Sequence, residues 1–148
     1  MMKVTRFLKQ GEIDKKWVLI NAQGHSIGKV AAEASRILQG KNKPTYTPNV
    51  NMGDNVIIIN AGKVKITGRK ADQKNYYRHS GYVGNMKVFT LREMLVNRPE
   101  YAMQHAVRLM LPKNRIASRM LKGLRIYSDD NYPKAIQIGK VIELDKEG

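Results

Sequence analysis

Apolar residues are distributed along this chain in two ways: short unbroken runs, and wider sets that recur every three or four positions. Trp17-Val-Leu-Ile20 is an unbroken run that ends at Asn21, with Gly24 in the turn beyond, and it reads as a buried strand. Ile27, Val30, Ala31, Ala34 and Leu38 then keep helical spacing, with Ser26 placed to cap the helix and Gly40 to stop it. A loop over 41–48 is punctuated by Pro44 and Pro48. Val56-Ile-Ile-Ile59 is a second unbroken run, of the kind buried on both faces. After a turn at Ala61 and Gly62, Val64 and Ile66 flank Lys65 in a third expected strand that ends at Gly68. Strand, helix, strand in that order predicts a βαβ unit with a right-handed crossover.

The second half is less regular. Arg69 to Met86 shows little periodicity and reads as a long basic loop. Thr90-Leu-Arg-Glu93 has the spacing of a capping box and opens a helix to about Val96. Pro99 suits the first turn of another helix, with Ala102, Ala106, Leu109 and Met110 on one face. Asn114 to Lys122 reads as a short basic helix stopped by Gly123, and Leu124 to Tyr127 as a last strand. The remainder, 128–148, is weakly patterned and is expected to be a surface tail on a core spanning about 17–127. No repeat or linker divides the 148 residues, which predicts one domain, 1–148.

Charge changes the picture from a fold to a function. The chain carries 27 Lys and Arg against 12 Asp and Glu, a net of +15. That exceeds the net charge of roughly 2–8 that keeps a small domain soluble, and like charge repels itself unless a polyanion relieves it. The excess is also localised. Residues 63–125 hold fifteen basic and three acidic residues, a net of +12, whereas 1–62 hold nine and four and 126–148 hold three and five. No apolar run approaches the ~20 residues of a membrane span, so nucleic acid is the better partner and no membrane is expected. Without cysteine there is no disulfide framework, thiol nucleophile or Cys-ligated zinc. The start of the chain has neither a secretory apolar stretch nor a transit-peptide composition, which favours the cytoplasm.

Candidate chemistry other than RNA binding fails on spacing. Gly24-His-Ser-Ile-Gly28-Lys29 resembles a phosphate loop, but it has three residues between its glycines and Val30 after the lysine. It reads instead as a helix start with Gly28 packed closely on the sheet. His25, His79 and His105 lie too far apart in sequence for a metal motif. Asp72, His79 and Ser80 make no triad, because adjacent side chains diverge, and the basic stretch lacks a carboxylate cluster for metal-dependent hydrolysis. No cofactor, metal or small-molecule substrate is expected.

Two clusters do fit RNA. From Gly68 to Tyr82, Arg69, Lys70, Lys74 and Arg78 are interleaved with Tyr76, Tyr77, His79 and Tyr82. Cations hold phosphates and flat rings stack on unpaired bases; the bland reading is a solvated loop whose tyrosines pack on the protein's own core. Further on, Lys113, Arg115 and Arg119 surround an expected helix start, with Arg115 and Arg119 four residues apart on one face; the bland reading there is a plain solvated helix.

At these clusters the chain closely resembles the bacterial form of the family of the thirteenth protein of the large ribosomal subunit. The resemblance is carried by WVLINAQGHSIGKVAAEASRIL from Trp17, GKNKPTYTP from Gly40, GDNVIIINAGKVKITGRK from Gly53, YYRHSGY from Tyr76 and AVRLMLPKNR from Ala106. It implies an α/β single compact domain with a mostly parallel four-stranded sheet sandwiched between helices. It also implies a non-catalytic constituent of the large subunit that binds 23S rRNA early in assembly, beside neighbouring large-subunit proteins. A messenger RNA is a further partner that some ribosomal proteins take. By that likeness the RNA contacts fall on Lys41 and Lys43, then Thr67, Arg69 and Lys70. They continue through Tyr76, Tyr77, Arg78, His79 and Ser80, and end on Lys113, Asn114, Arg115 and Arg119. The chain departs from the family pattern at Val83, at Ala117 and at Asn131-Tyr-Pro-Lys134. An RNA-processing enzyme is the alternative from another class, and it would need a cofactor pocket or carboxylate cluster.

Overall fold

A computed structural model describes residues 8–144; the first seven residues, and 145–148 of the expected tail, lie outside the described residues. Strand β1 (Trp17–Asn21) leads into helix α1 (Ile27–Gln39), which returns the chain to β2 (Asn55–Ile59). The two strands are parallel, in register from Trp17 opposite Asn55 to Asn21 opposite Ile59, as the crossover helix requires. The local signals act as expected. The Ser26 hydroxyl accepts a hydrogen bond from the Lys29 N–H. Gly40 sits at φ 78° and ends α1, where its N–H and that of Lys41 donate to the carbonyls of Ile37 and Arg36. Gly53 passes directly behind that end: a Cβ there would overlap the Leu38 carbonyl, so only glycine lets β2 begin where it does.

Beyond β2 come α2 (Lys70–Gln73), the antiparallel pair β3 (Asn75–His79) and β4 (Met86–Thr90), then α3 (Leu91–Asn97), α4 (Pro99–Met110) and α5 (Arg115–Leu121). Thr90 and Glu93 form the full capping box at the start of α3, Pro99 occupies the first turn of α4, and the Asn114 side chain caps α5 through the Ala117 N–H. Strands β5 (Leu124–Ile126) and β6 (Ile138–Ile142) complete a sheet of order β5-β2-β1-β6, every pair parallel.

Side-chain alternation along the sheet divides the core. Val18, Ile20, Val56 and Ile58 face one way and meet Val30, Ala34, Ile37 and Leu38 of α1, Met103 and Val107 of α4, and Met120 of α5. Leu19, Ile57 and Ile59 face the other way, where Trp17, Tyr127, Tyr132, Ile136 and Ile138 close over them. The parallel four-stranded α/β sheet is as expected, but among the described residues the helices pack on one face and irregular chain covers the other.

Four details correct the sequence reading. The expected third strand at 64–66 is reduced to a single bridge between Ser26 and Lys65, because Ala61–Lys63 forms a tight 3-10 turn and Val64 and Ile66 drop into the core separately. The fourth strand is instead β6, inside the stretch assigned to a surface tail. It is an edge strand with its three central residues exposed, so it carries little apolar pattern. The long basic loop is a short helix and a hairpin whose first strand buries only Tyr76. Gly28 does not pack on the sheet: a Cβ there would meet nothing within 4 Å.

Candidate nucleic-acid interface

The β3–β4 hairpin gathers most of the first basic cluster. Its register puts Arg78 directly opposite Lys87, and both are exposed. Like charges directly across an antiparallel pair destabilise it, and an anion held between them removes that cost. The connecting loop is ordered by its own polar groups: the Gly81 N–H donates to His79 Nδ1 at 2.9 Å, and Asn85 donates to the Ser80 hydroxyl at 2.8 Å. Gly81 and Gly84 take φ of 96° and 75°, which this turn needs and side chains disfavour. Arg78, His79, Ser80, Asn85 and Lys87 thus share one cleft at the hairpin tip.

A second recess lies at the start of α1. Ser26 and Gly28, Lys65 and Thr67, and Lys70 and Lys74 line it, with Leu109 and Met110 of α4 at its far side. Lys70 donates to the Thr67 hydroxyl at 3.3 Å. Neighbouring Arg69 is exposed at the entry to α2. Leu109 also borders a third recess, between α4 and α5, which carries Arg108, Lys113, Asn114 and Arg115. The two recesses are therefore adjacent. Arg119 lies one turn along α5 from Arg115, exposed like it.

The stretch 63–125 contains three carboxylates, and all are engaged. Asp72 pairs with Arg92 at 3.0 Å, Glu93 accepts from the Thr90 N–H at 3.0 Å, and Glu100 accepts from the Ser128 hydroxyl. Arg92 is thus the one basic residue of fifteen there with an ion-pair partner among the described residues. The other fourteen have no acidic partner among the described residues.

Not every expected contact residue is placed for RNA. Lys43 turns back onto the protein: its Nζ lies 2.7 Å from Asp54 and donates to the Met52 carbonyl at 3.0 Å. Lys41 is exposed but sits beyond the C-terminal end of α1, about 20 Å from the recess at its start. Tyr76 is buried, 6% exposed, with its ring edge-on to His105 at 5.3 Å, so that ring is not available to stack on a base. Burial, then Tyr101, raises its phenol above the usual range. His105 is lowered from its ordinary value by burial, then by Lys74 and Arg108. Tyr77, one residue on, is 64% exposed.

Lys65, Lys87 and Arg108 also line these recesses, and Arg98 lines a cleft between the hairpin and the α3–α4 junction; none of the four is among the contacts the sequence picks out, whereas Lys74 of the first basic cluster lines the recess at the start of α1. Lys87 and Arg98 are visible only once the hairpin is paired and α3 meets α4. Lys74 lies 5.6 Å from the centre of the Tyr76 ring, a cation on an aromatic face. Among the described residues no group of three or more His, Cys, Asp or Glu side chains is placed to hold a metal ion. No helix among them is long and apolar enough to cross a membrane.

Comparison with known proteins gives one answer. A family model described as ribosomal protein L13 matches residues 15–133. The large ribosomal subunit protein uL13 of Desulfitobacterium hafniense is 50% identical over 133 residues, covering 90% of this chain and 93% of that protein. Its namesake in Rubrobacter xylanophilus is 49% identical over 136 residues, covering 92% and 95%. That of Thermosipho africanus is 48% identical over 140 residues, covering 95% and 93%.

Proposed function

The chain belongs to the ribosomal protein L13 family, and from that premise we propose that it binds 23S rRNA and acts early in assembly of the large subunit. As a member it is a structural, non-enzymatic constituent of the large ribosomal subunit, working in translation within the cytoplasmic ribosome. The observation that carries the RNA reading is the engagement of all three carboxylates in 63–125, which leaves fourteen cations without an acidic partner among the described residues. A polyanion supplies the missing charge, and flexible lysines and arginines set around recesses suit an irregular phosphate backbone.

The contact set follows from exposure. Thr67, Arg69, Lys70, Tyr77, Arg78, His79 and Ser80 form one part of it, and Lys113, Asn114, Arg115 and Arg119 the other, joined through Lys65, Lys74 and Arg108. Lys41 contributes at the margin. Lys43 and Tyr76 support the fold instead. Folded rRNA that bridges the hairpin and α5 would be pinned in one arrangement, which is how a non-catalytic protein promotes assembly. Neighbouring large-subunit proteins are the remaining partners.

The test is a salt titration of binding to 23S rRNA by the full chain and by a variant with Arg69, Lys70 and Arg78 all replaced by Ala. The variant is expected to bind more weakly with a shallower dependence on salt, since each lost phosphate contact removes about 0.7–0.9 from the logarithmic slope. An unchanged slope would remove these residues from the interface.

A further inference from the structure

Between the hairpin and the junction of α3 with α4 lies a cleft that phosphate binding does not explain. Four of the chain's ten aromatic side chains line it. Tyr76, Phe89 and the buried Met94 form its inner wall, while Tyr77 and Tyr101 stand exposed at its mouth, 64% and 47% accessible. Tyr101 is held in place by a stacking contact with His105, the rings inclined at 27°. Arg78 and Arg98, both exposed, line the cleft too, and no carboxylate does. Asn97, an exposed residue, also lines it.

We infer that this cleft receives the base of one unpaired nucleotide of the bound RNA. The inference rests on the proposed rRNA binding and adds to it a mode of recognition. An unstacked base needs a slot with aromatic walls, a polar group at the edge and cations where the backbone leaves on either side. This cleft has all three: Tyr77 and Tyr101 to stack, Asn97 to meet a base edge with both donor and acceptor, and Arg78 and Arg98 for the flanking phosphates. The charge at the mouth selects a nucleotide over an apolar side chain of a neighbouring protein, which would bring no anion to two unpaired arginines. Arg78 borders both this cleft and the hairpin-tip cleft, so one strand of RNA passing the hairpin reaches both.

Two measurements on the full chain test this. In the first, the chain is irradiated with ultraviolet light on 23S rRNA and the adducts are mapped by mass spectrometry. Nucleotide adducts on the peptides bearing Tyr77 or Tyr101 are expected. In the second, Tyr77→Ala and Tyr101→Ala are each expected to weaken binding roughly tenfold at fixed salt, with the salt slope unchanged. The Tyr→Phe variants are expected to restore affinity. Adducts confined to the hairpin loop and α5, or affinity unchanged in both alanine variants, would overturn the inference while leaving rRNA binding intact. So would crosslinks in the assembled subunit that join these tyrosines to a protein instead of RNA. A wild-type chain with no affinity for rRNA would overturn the wider reading as well.

Discussion

Lys43 Nζ lies 2.7 Å from the carboxylate of Asp54, and the same carboxylate accepts from the Lys16 N–H at 3.2 Å. Asp54 is only 8% exposed, so this pairing ties the 41–54 loop to the start of β2. A lysine in a basic loop reads as an RNA contact until its partner is seen. Replacing Lys43 by Ala leaves a buried acceptor without its cation and is expected to cost about 2 kcal/mol of stability. Chemical denaturation measures that loss, while the salt slope of rRNA binding stays at the wild-type value. A slope that falls with no change in stability would return Lys43 to the interface.

The close approach of Gly53 to the end of α1 gives a sharper stability test. A methyl group at this position collides with backbone, which cannot rotate away as a side chain can. Gly53→Ala is expected to destabilise by about 3 kcal/mol, lowering the melting temperature by about 10 °C in a domain of this size. Gly28→Ala, where the added Cβ meets nothing, is the control and should melt like wild type.

His105 provides a pH dependence with a definite sign. Burial, Lys74 and Arg108 hold it below its ordinary value in the fold, so the unfolded chain takes up its proton first as pH falls. Its contribution to stability is therefore full above the unfolded value of about 6.5 and is lost as pH drops through the folded value. Melting temperatures between about pH 7.5 and 5 should decline on the acid side. His105→Gln should flatten that part of the decline, and an equal acid slope in the variant would remove His105 from the account.

The α4–α5 recess should act independently of the hairpin. Replacing Lys113, Arg115 and Arg119 together by Ala removes three exposed cations from the RNA face and leaves the Asn114 cap in place. The logarithmic salt slope of rRNA binding is expected to fall by about 2. Circular dichroism should show an unaltered fold, and a slope equal to wild type would confine the interface to the hairpin side.

How far the sequence can be read depends on burial. Helix α1 is legible because Ser26, Gly40 and five apolar positions all give the same answer, and β2 because every residue from Val56 to Ile59 is buried. Strand β6 is not legible, because Gly139, Lys140 and Val141 face solvent at the sheet edge and leave no alternation to detect. The hairpin escapes for the same reason, since Tyr76 is the one buried side chain among its paired residues. Site residues show the same division. Basic residues beside tyrosines mark Arg69, Lys70 and Arg78, but Tyr76 and Tyr77 look alike in sequence although one is buried and the other exposed. Lys87 and Arg98 enter the surface only through pairing and helix packing, which short spacing does not encode.

The central claim, that this chain is an integral structural component of the large subunit held by its RNA, is tested most directly by sedimentation. Lysate containing the tagged chain is run through a sucrose gradient at high salt, where screening strips loosely bound polycations. The chain is expected to stay with the large subunit at one copy per particle. Release to the top of the gradient would contradict the account and identify a transient RNA binder instead.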